Sequence, residues 1–182
     1  MRYLFILLVL NVMCGYSQEN LTVFLRGAKY EKVCVYVSEK NDKVCAEIQE
    51  DSLLENWHNV EIIGNGKNRY NVIIRSEQHP NTFMVKGWIN KKNCGVYLYG
   101  RHRLNNQYAV NVYQSPHDSK PIMTLLNTCP DSFPQGEYGA VPVLDVYRDG
   151  TSYWVKISIR HDGKSIVGWT KDYCPNVYGS CN

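Results

Sequence analysis

The chain has 182 residues, 44% of them hydrophobic, with a formal charge of +3 at neutral pH and seven cysteines. That length can bury a real core in one or two small domains. The mild charge, with no clustered Lys and Arg, excludes the basic stripe of a nucleic-acid binder and a polybasic membrane anchor.

Fourteen Tyr and four Trp favour sheets over helices, because flat rings pack well on a pleated surface. Residues 1–17 have the pattern of a signal peptide. Met1-Arg2-Tyr3 precedes the apolar run Leu4 to Leu10, and Gly15-Tyr16-Ser17 places small residues before a mature start near Gln18. The run is too short to span a bilayer permanently, and no later segment is apolar enough to cross one. A secreted or periplasmic chain is therefore expected. The rival is a lipoprotein with its lipid on Cys14, for which Met13 and Asn11 are a poor fit.

Strand candidates follow in order: Leu21 to Leu25, Val33 to Val37, Val44 to Ile48, Val60 to Ile63, Tyr70 to Arg75, and Met84 to Ile89. Asp51 to Asn59 is polar around Leu53, Leu54 and Trp57 and reads as a loop or one helical turn. Gly64-Asn65-Gly66-Lys67-Asn68 makes a glycine-rich hairpin tip. Asn90 to Gly100, with Tyr97-Leu98, closes a first unit over 18–100. Residues 101–107, polar and short of apolar anchors, read as a linker.

The second unit, 108–182, starts at Tyr108 to Tyr113 and continues through Ile122 to Leu126 and Val141 to Val146. Its clearest signal is Trp154 to Trp169. Apolar residues 155, 157 and 159 alternate with polar 156, 158 and 160, and Asp162-Gly163 supplies the positive φ angles of a tight hairpin. The two units run in parallel: Cys34-Val35-Tyr36 matches Asn111-Val112-Tyr113, Val44 to Ile48 falls near Ile122 to Leu126, and Gly87-Trp88 matches Gly168-Trp169. The fold class predicted is all-β, as two tandem small barrels.

Without Cys14, six cysteines remain: Cys34, Cys45, Cys94, Cys129, Cys174 and Cys181. An even set in an exported chain points to disulfides. Each half holds three, so complete pairing forces a bond between halves. The pairing expected is Cys34 with Cys45, Cys174 with Cys181, and Cys94 with Cys129 as the clamp. Other pairings stay open.

Val112-Tyr113-Gln114-Ser115-Pro116, Val141 to Val146, Trp154-Val155-Lys156-Ile157, Gly168-Trp169 and Tyr173 together resemble a bacterial SH3-like (SH3b-type) domain over 108–174. Residues 30–98 resemble a more diverged copy. The resemblance implies two partly open SH3-like barrels, exported, that bind cell-wall peptides or glycans or another envelope protein. An Asn-Val-Arg start is common in that family, whereas Asn111-Val112-Tyr113 and Cys34-Val35-Tyr36 stand here.

Catalytic chemistry finds little support. The five histidines, His58, His79, His102, His117 and His161, fall mostly in predicted loops and lack metal-ligand spacing, so no metal or other cofactor is expected. A Cys-His nucleophile would need a free thiol, and oxidised sulfur is the default in an exported chain. The aromatics are more informative. Tyr153 and Trp154 are adjacent on a strand and point to opposite faces, so only one can be core. The other is free to stack on a sugar or peptide side chain. Tyr113 faces away from Val112 by the same parity, and Tyr113, Tyr153 and Trp154 are the candidate binding residues. Trp88 and Trp169 read as packing residues. The function expected is non-catalytic binding. The alternative is a secreted inhibitor or immunity-type protein that blocks a hydrolase with the loop at 76–82 or 128–139.

Overall fold

The computed structural model describes residues 20–28, 31–50, 58–76, 84–133 and 140–174. The leader 1–17, His79, the tail with Cys181, most of the loops at 51–59 and 76–82, and half of that at 128–139 lie outside the described residues.

The first half carries β1 (Leu21–Leu25), β2 (Val33–Tyr36), β3 (Val44–Ile48), β4 (His58–Asn65), β5 (Arg69–Ser76), β6 (Met84–Asn90) and, after a 3-10 turn at Lys91–Asn93, β7 (Cys94–Leu98). The second carries β8 (His102–Leu104), β9 (Gln107–Val112), β10 (Met123–Asn127), β11 (Val141–Asp149), β12 (Ser152–His161), β13 (Lys164–Thr170) and β14 (Tyr173–Cys174). The fold is all-β. Period-2 alternation sets the buried face of each strand: Val23 and Leu25, Val33 and Val35, Val72 and Ile74, and Val155, Ile157 and Ile159 all point into one core cluster that includes both halves. Asp162 (φ 49°) and Gly163 (φ 75°) make the expected tight turn.

The same five-strand order occurs twice. β3-β2-β6-β5-β4 in the first half corresponds to β10-β9-β13-β12-β11 in the second. Each copy joins its two parts at one tyrosine–tryptophan bridge, Tyr36 to Trp88 and Tyr113 to Trp169. Each has a β-bulge at the same place, between Ile62 and Gly64 and between Val143 and Asp145. The Gly-Trp pairs are therefore not core tryptophans. Gly87 and Gly168 are buried, while Trp88 and Trp169 are partly buried on the outer face, so whatever packing they do lies outside the core cluster.

The halves share a strand. β1 pairs with β4, and β7 occupies the equivalent place against β11; β7 pairs with β1 as β14 pairs with β7. The backbone repeats even in single bonds, with Arg26 N–H donating to Asn93 O (2.8 Å) and Tyr99 N–H to Asp172 O (3.1 Å). The Tyr70 hydroxyl donates to Val143 O (3.3 Å) and Asn65 Nδ2 to Asp145 Oδ1 (2.6 Å), so polar groups also tie one half to the other. Residues 101–107 are not a free linker. They form β8 and its turn, with Asn105 (φ 52°) and Asn106 (φ 65°) in the left-handed region, so β8 and β9 make a hairpin.

Two of the three expected cysteine pairs need correction. Cys34, Cys45, Cys94 and Cys129 are free thiols. Cys34 stands opposite Glu47, while Cys45 falls in a bulge and its Sγ donates to Val35 O (3.4 Å), so the register does not pair the two. Cys94 is fully buried in β7, where burial pushes its thiol far up, and Cys129 is exposed in the turn region after β10, so they form no clamp. Cys174 is disulfide-bonded. The expected partner, Cys181, lies outside the described residues.

Asp172 sits buried where β7, β9 and β13 converge. Desolvation raises its pKa above the usual carboxylate value, opposed by the bond from Asn111 N–H to its Oδ2 (2.8 Å) and by His102 and Arg101. The fold thus favours the protonated form. Its contribution is fully present below the unfolded pKa of about 3.9 and is lost as pH rises through the raised folded value. Asp172→Asn keeps an acceptor for Asn111, so the variant should melt higher than the parent at pH 7 and equal to it near pH 3. Melting curves at both values check this; no difference at pH 7 would refute it.

Candidate functional site

Tyr113 directly follows β9, and Trp169 holds it in place by exchanging both backbone hydrogen bonds at 2.8 Å. β12 supplies Trp154 one residue before the core strip Val155, Ile157 and Ile159, which puts the indole on the outer face. Trp154 is nevertheless only 7% exposed. A second, outer cluster covers it. The rings of Tyr113 (centroids 5.4 Å) and His117 (6.0 Å) meet it edge-on, and Lys171 Nζ lies 4.8 Å from its centroid.

His117 comes from the loop between β9 and β10, at φ 70°. Its ring meets Tyr147 of β11 at 5.5 Å, and its Nδ1 lies 3.8 Å from Asp149 Oδ2. Asp149 is the polar centre. It accepts from Lys171 Nζ (2.7 Å) and from the Trp154 indole N–H (3.4 Å). The Lys171 hydrogen bond holds its carboxyl below the usual value, aided by Trp154 and His117 and opposed by partial desolvation. Tyr147 (43% exposed) and His117 (side chain 54%) leave ring surface open to solvent. Such a surface can stack on a flat or apolar group while Lys171 and Asp149 offer a donor and an acceptor beside it.

Of the three candidates, Tyr113 and Trp154 come together and Tyr153 does not. Tyr153 is the member of its pair that packs against the core, with its carbonyl accepting from Tyr173 Oη (3.5 Å) and Arg148 over its ring at 5.8 Å. Sequence reasoning missed His117, Tyr147, Asp149 and Lys171. The clue available was their position: Asp149 belongs to the Asp149-Gly150 turn and Tyr147 precedes it, and the others flank strands already paired by the Tyr113 and Gly-Trp signals.

The first half fills the equivalent place differently. Val72 pairs with Gly87 as Ile157 pairs with Gly168, so Arg69 stands where Trp154 does. Its guanidinium lies over Tyr36 at 3.7 Å and donates to the carbonyls of Ser38 (3.2 Å), Glu39 (3.0 Å) and Asn41 (2.9 Å).

His58, expected in a loop, begins β4 and is buried beside Glu50, which accepts from its backbone N–H (3.1 Å). Among the described residues no cluster of His, Cys, Asp and Glu is placed to hold a metal ion, and no helix is long and apolar enough to cross a membrane. Compared with known protein families, with curated proteins and with solved structures, the chain matches none.

Proposed function

We propose that the chain is a non-catalytic binding module, exported to the envelope or beyond, built as two tandem SH3-like β-barrels that share β7. It holds a cell-wall peptide or glycan, or a short stretch of an envelope protein, against the aromatic edge formed by Tyr113, His117 and Tyr147 over Trp154. The barrel reading is supported by the twofold recurrence of one strand order with equivalent bulges and bridges. The binding reading is carried by one observation: an outward tryptophan buried by a polar and aromatic cluster whose own rings stay exposed. A structural tryptophan alone would need no such exposed rim.

Purified peptidoglycan sacculi, mixed with the full chain and sedimented, should retain it saturably. Tyr113→Ala should weaken retention about tenfold, the loss of roughly one aromatic contact of about 1.4 kcal/mol. If the unaltered chain stays in the supernatant at every concentration, the cell-wall reading is wrong.

A further inference from the structure

We infer that only the second half of the molecule presents a ligand edge, with Tyr147 and His117 as its specificity-determining residues, because the first half seals the equivalent place with its own side chains. The ligand part of this inference rests on the binding reading above; the seal does not.

The equivalence is fixed by register. Gly66 N–H donates to Arg69 O (3.0 Å) in the first half, and Tyr147 pairs with Trp154 in the second, so Gly66 corresponds to Tyr147. What differs is side-chain chemistry. A Cβ on Gly66 would lie 2.5 Å from the Glu39 carboxyl carbon and 2.8 Å from Arg69 O. Glu39 therefore occupies the space that an aromatic ring takes in the second half. Its carboxylate accepts the Lys67 backbone N–H, and Arg69 fastens the same loop by its carbonyls and by Asp42 (2.5 Å). The loop over 37–43 is zipped onto the β4–β5 turn, with its acceptors taken by the chain itself.

In the second half the corresponding turn is longer. Two residues separate Gly66 from Arg69, and six separate Tyr147 from Trp154. Tyr147 stands between the turn and the 114–122 loop, and His117 leans edge-on against it instead of closing over it. Beside its ring contacts, His117 reaches one carboxylate, Asp149, which it shares with Lys171. The second half thus keeps open ring edges where the first has engaged every guanidinium nitrogen of Arg69 internally. One chain should take one ligand.

Two measurements test this. Amide hydrogen exchange on the full chain should show Asn41, Lys43 and Lys67, whose N–H groups have acceptors, protected at least tenfold more than His117, Ser119 and Lys120. Equal exchange of the two loops would overturn the seal whether or not sacculi are bound. In sacculus binding, the double variant His117→Ala/Tyr147→Ala should lose affinity about tenfold, while Lys40→Ala/Lys67→Ala, at exposed first-half loop tips, should stay within about twofold. Loss of affinity in the first-half variant, or none in the second-half variant, overturns the assignment. Failure of the parent to bind with the exchange difference intact would instead sink the cell-wall reading and leave the seal standing.

Discussion

Gly168→Ala is expected to destabilise the chain by about 3 kcal/mol, and Gly87→Ala by a similar amount. A Cβ at Gly168 would sit 2.5 Å from Val112 Cγ1, 2.6 Å from Tyr113 O and 3.3 Å from Ile122 Cδ1. At Gly87 it would sit 2.6 Å from Val35 Cγ1 and 2.8 Å from Tyr36 O. The valines could relax by a rotamer change, but the carbonyls are backbone. Tyr113 O accepts from Trp169 N–H at 2.8 Å, so moving it opens the bridge that joins β9 to β13. Overpacking of this kind costs about 1–3 kcal/mol, and the weakened hydrogen bonds add about 1. Gly150→Ala is the control. Nothing lies within 4 Å of its Cβ position, and only its φ of +60° opposes the change, at a cost of about 1–2 kcal/mol. Urea unfolding should show a lower midpoint with an unchanged slope for Gly168→Ala. A shift no larger than that of Gly150→Ala would mean that the Gly-Trp step does not set the close approach.

Much of this was legible from the chain itself, because it depends on local pattern. Alternation placed β1, β2, β5 and β12 within a residue or two, and Asp162-Gly163 marked its turn. The repeat was visible in Val35-Tyr36 and Val112-Tyr113 and in the two Gly-Trp steps, which now appear as the two equivalent bridges. What escaped depends on partners far along the chain. β14 is two residues long and carries no period, yet it pairs with β7. The role of β7 in both halves follows from its pairing with β1, β11 and β14 and from no residue of its own. The Cys34 and Cys45 spacing suits a bond across a hairpin, but a bulge shifts the register. At the site, parity stated that one of Tyr153 and Trp154 is core. It could not say which, and the outer cover of Trp154 comes from residues at 113, 117 and 171.

Arg69→Lys should cost about 2 kcal/mol and Arg69→Ala about 3, while Asp42→Asn should cost less than about 1. Arg69 is 8% exposed and uses a planar fork: Nη1 serves three carbonyls, Nη2 reaches Asp42, Nε donates to Asn90 Oδ1 (3.3 Å), and the plane lies on Tyr36. Lysine offers three donors from one atom and no plane, so it cannot reproduce this set. The ion pair is the weaker part, because the Asp42 side chain is 89% exposed and solvent screens such pairs to about 0–1 kcal/mol. The carbonyls have no comparable substitute once the fork is gone, and charge-assisted bonds to them contribute about 1.5–3 kcal/mol each before discounting for the half-exposed loop. Denaturation at low and high salt separates the two contributions. If the carbonyls dominate, the Arg69→Lys deficit persists at high salt while the small Asp42→Asn deficit disappears. Should Asp42→Asn cost as much as Arg69→Lys, the loop is held by charge rather than by the fork, and a ligand cation could then compete for Asp42 and open the first half.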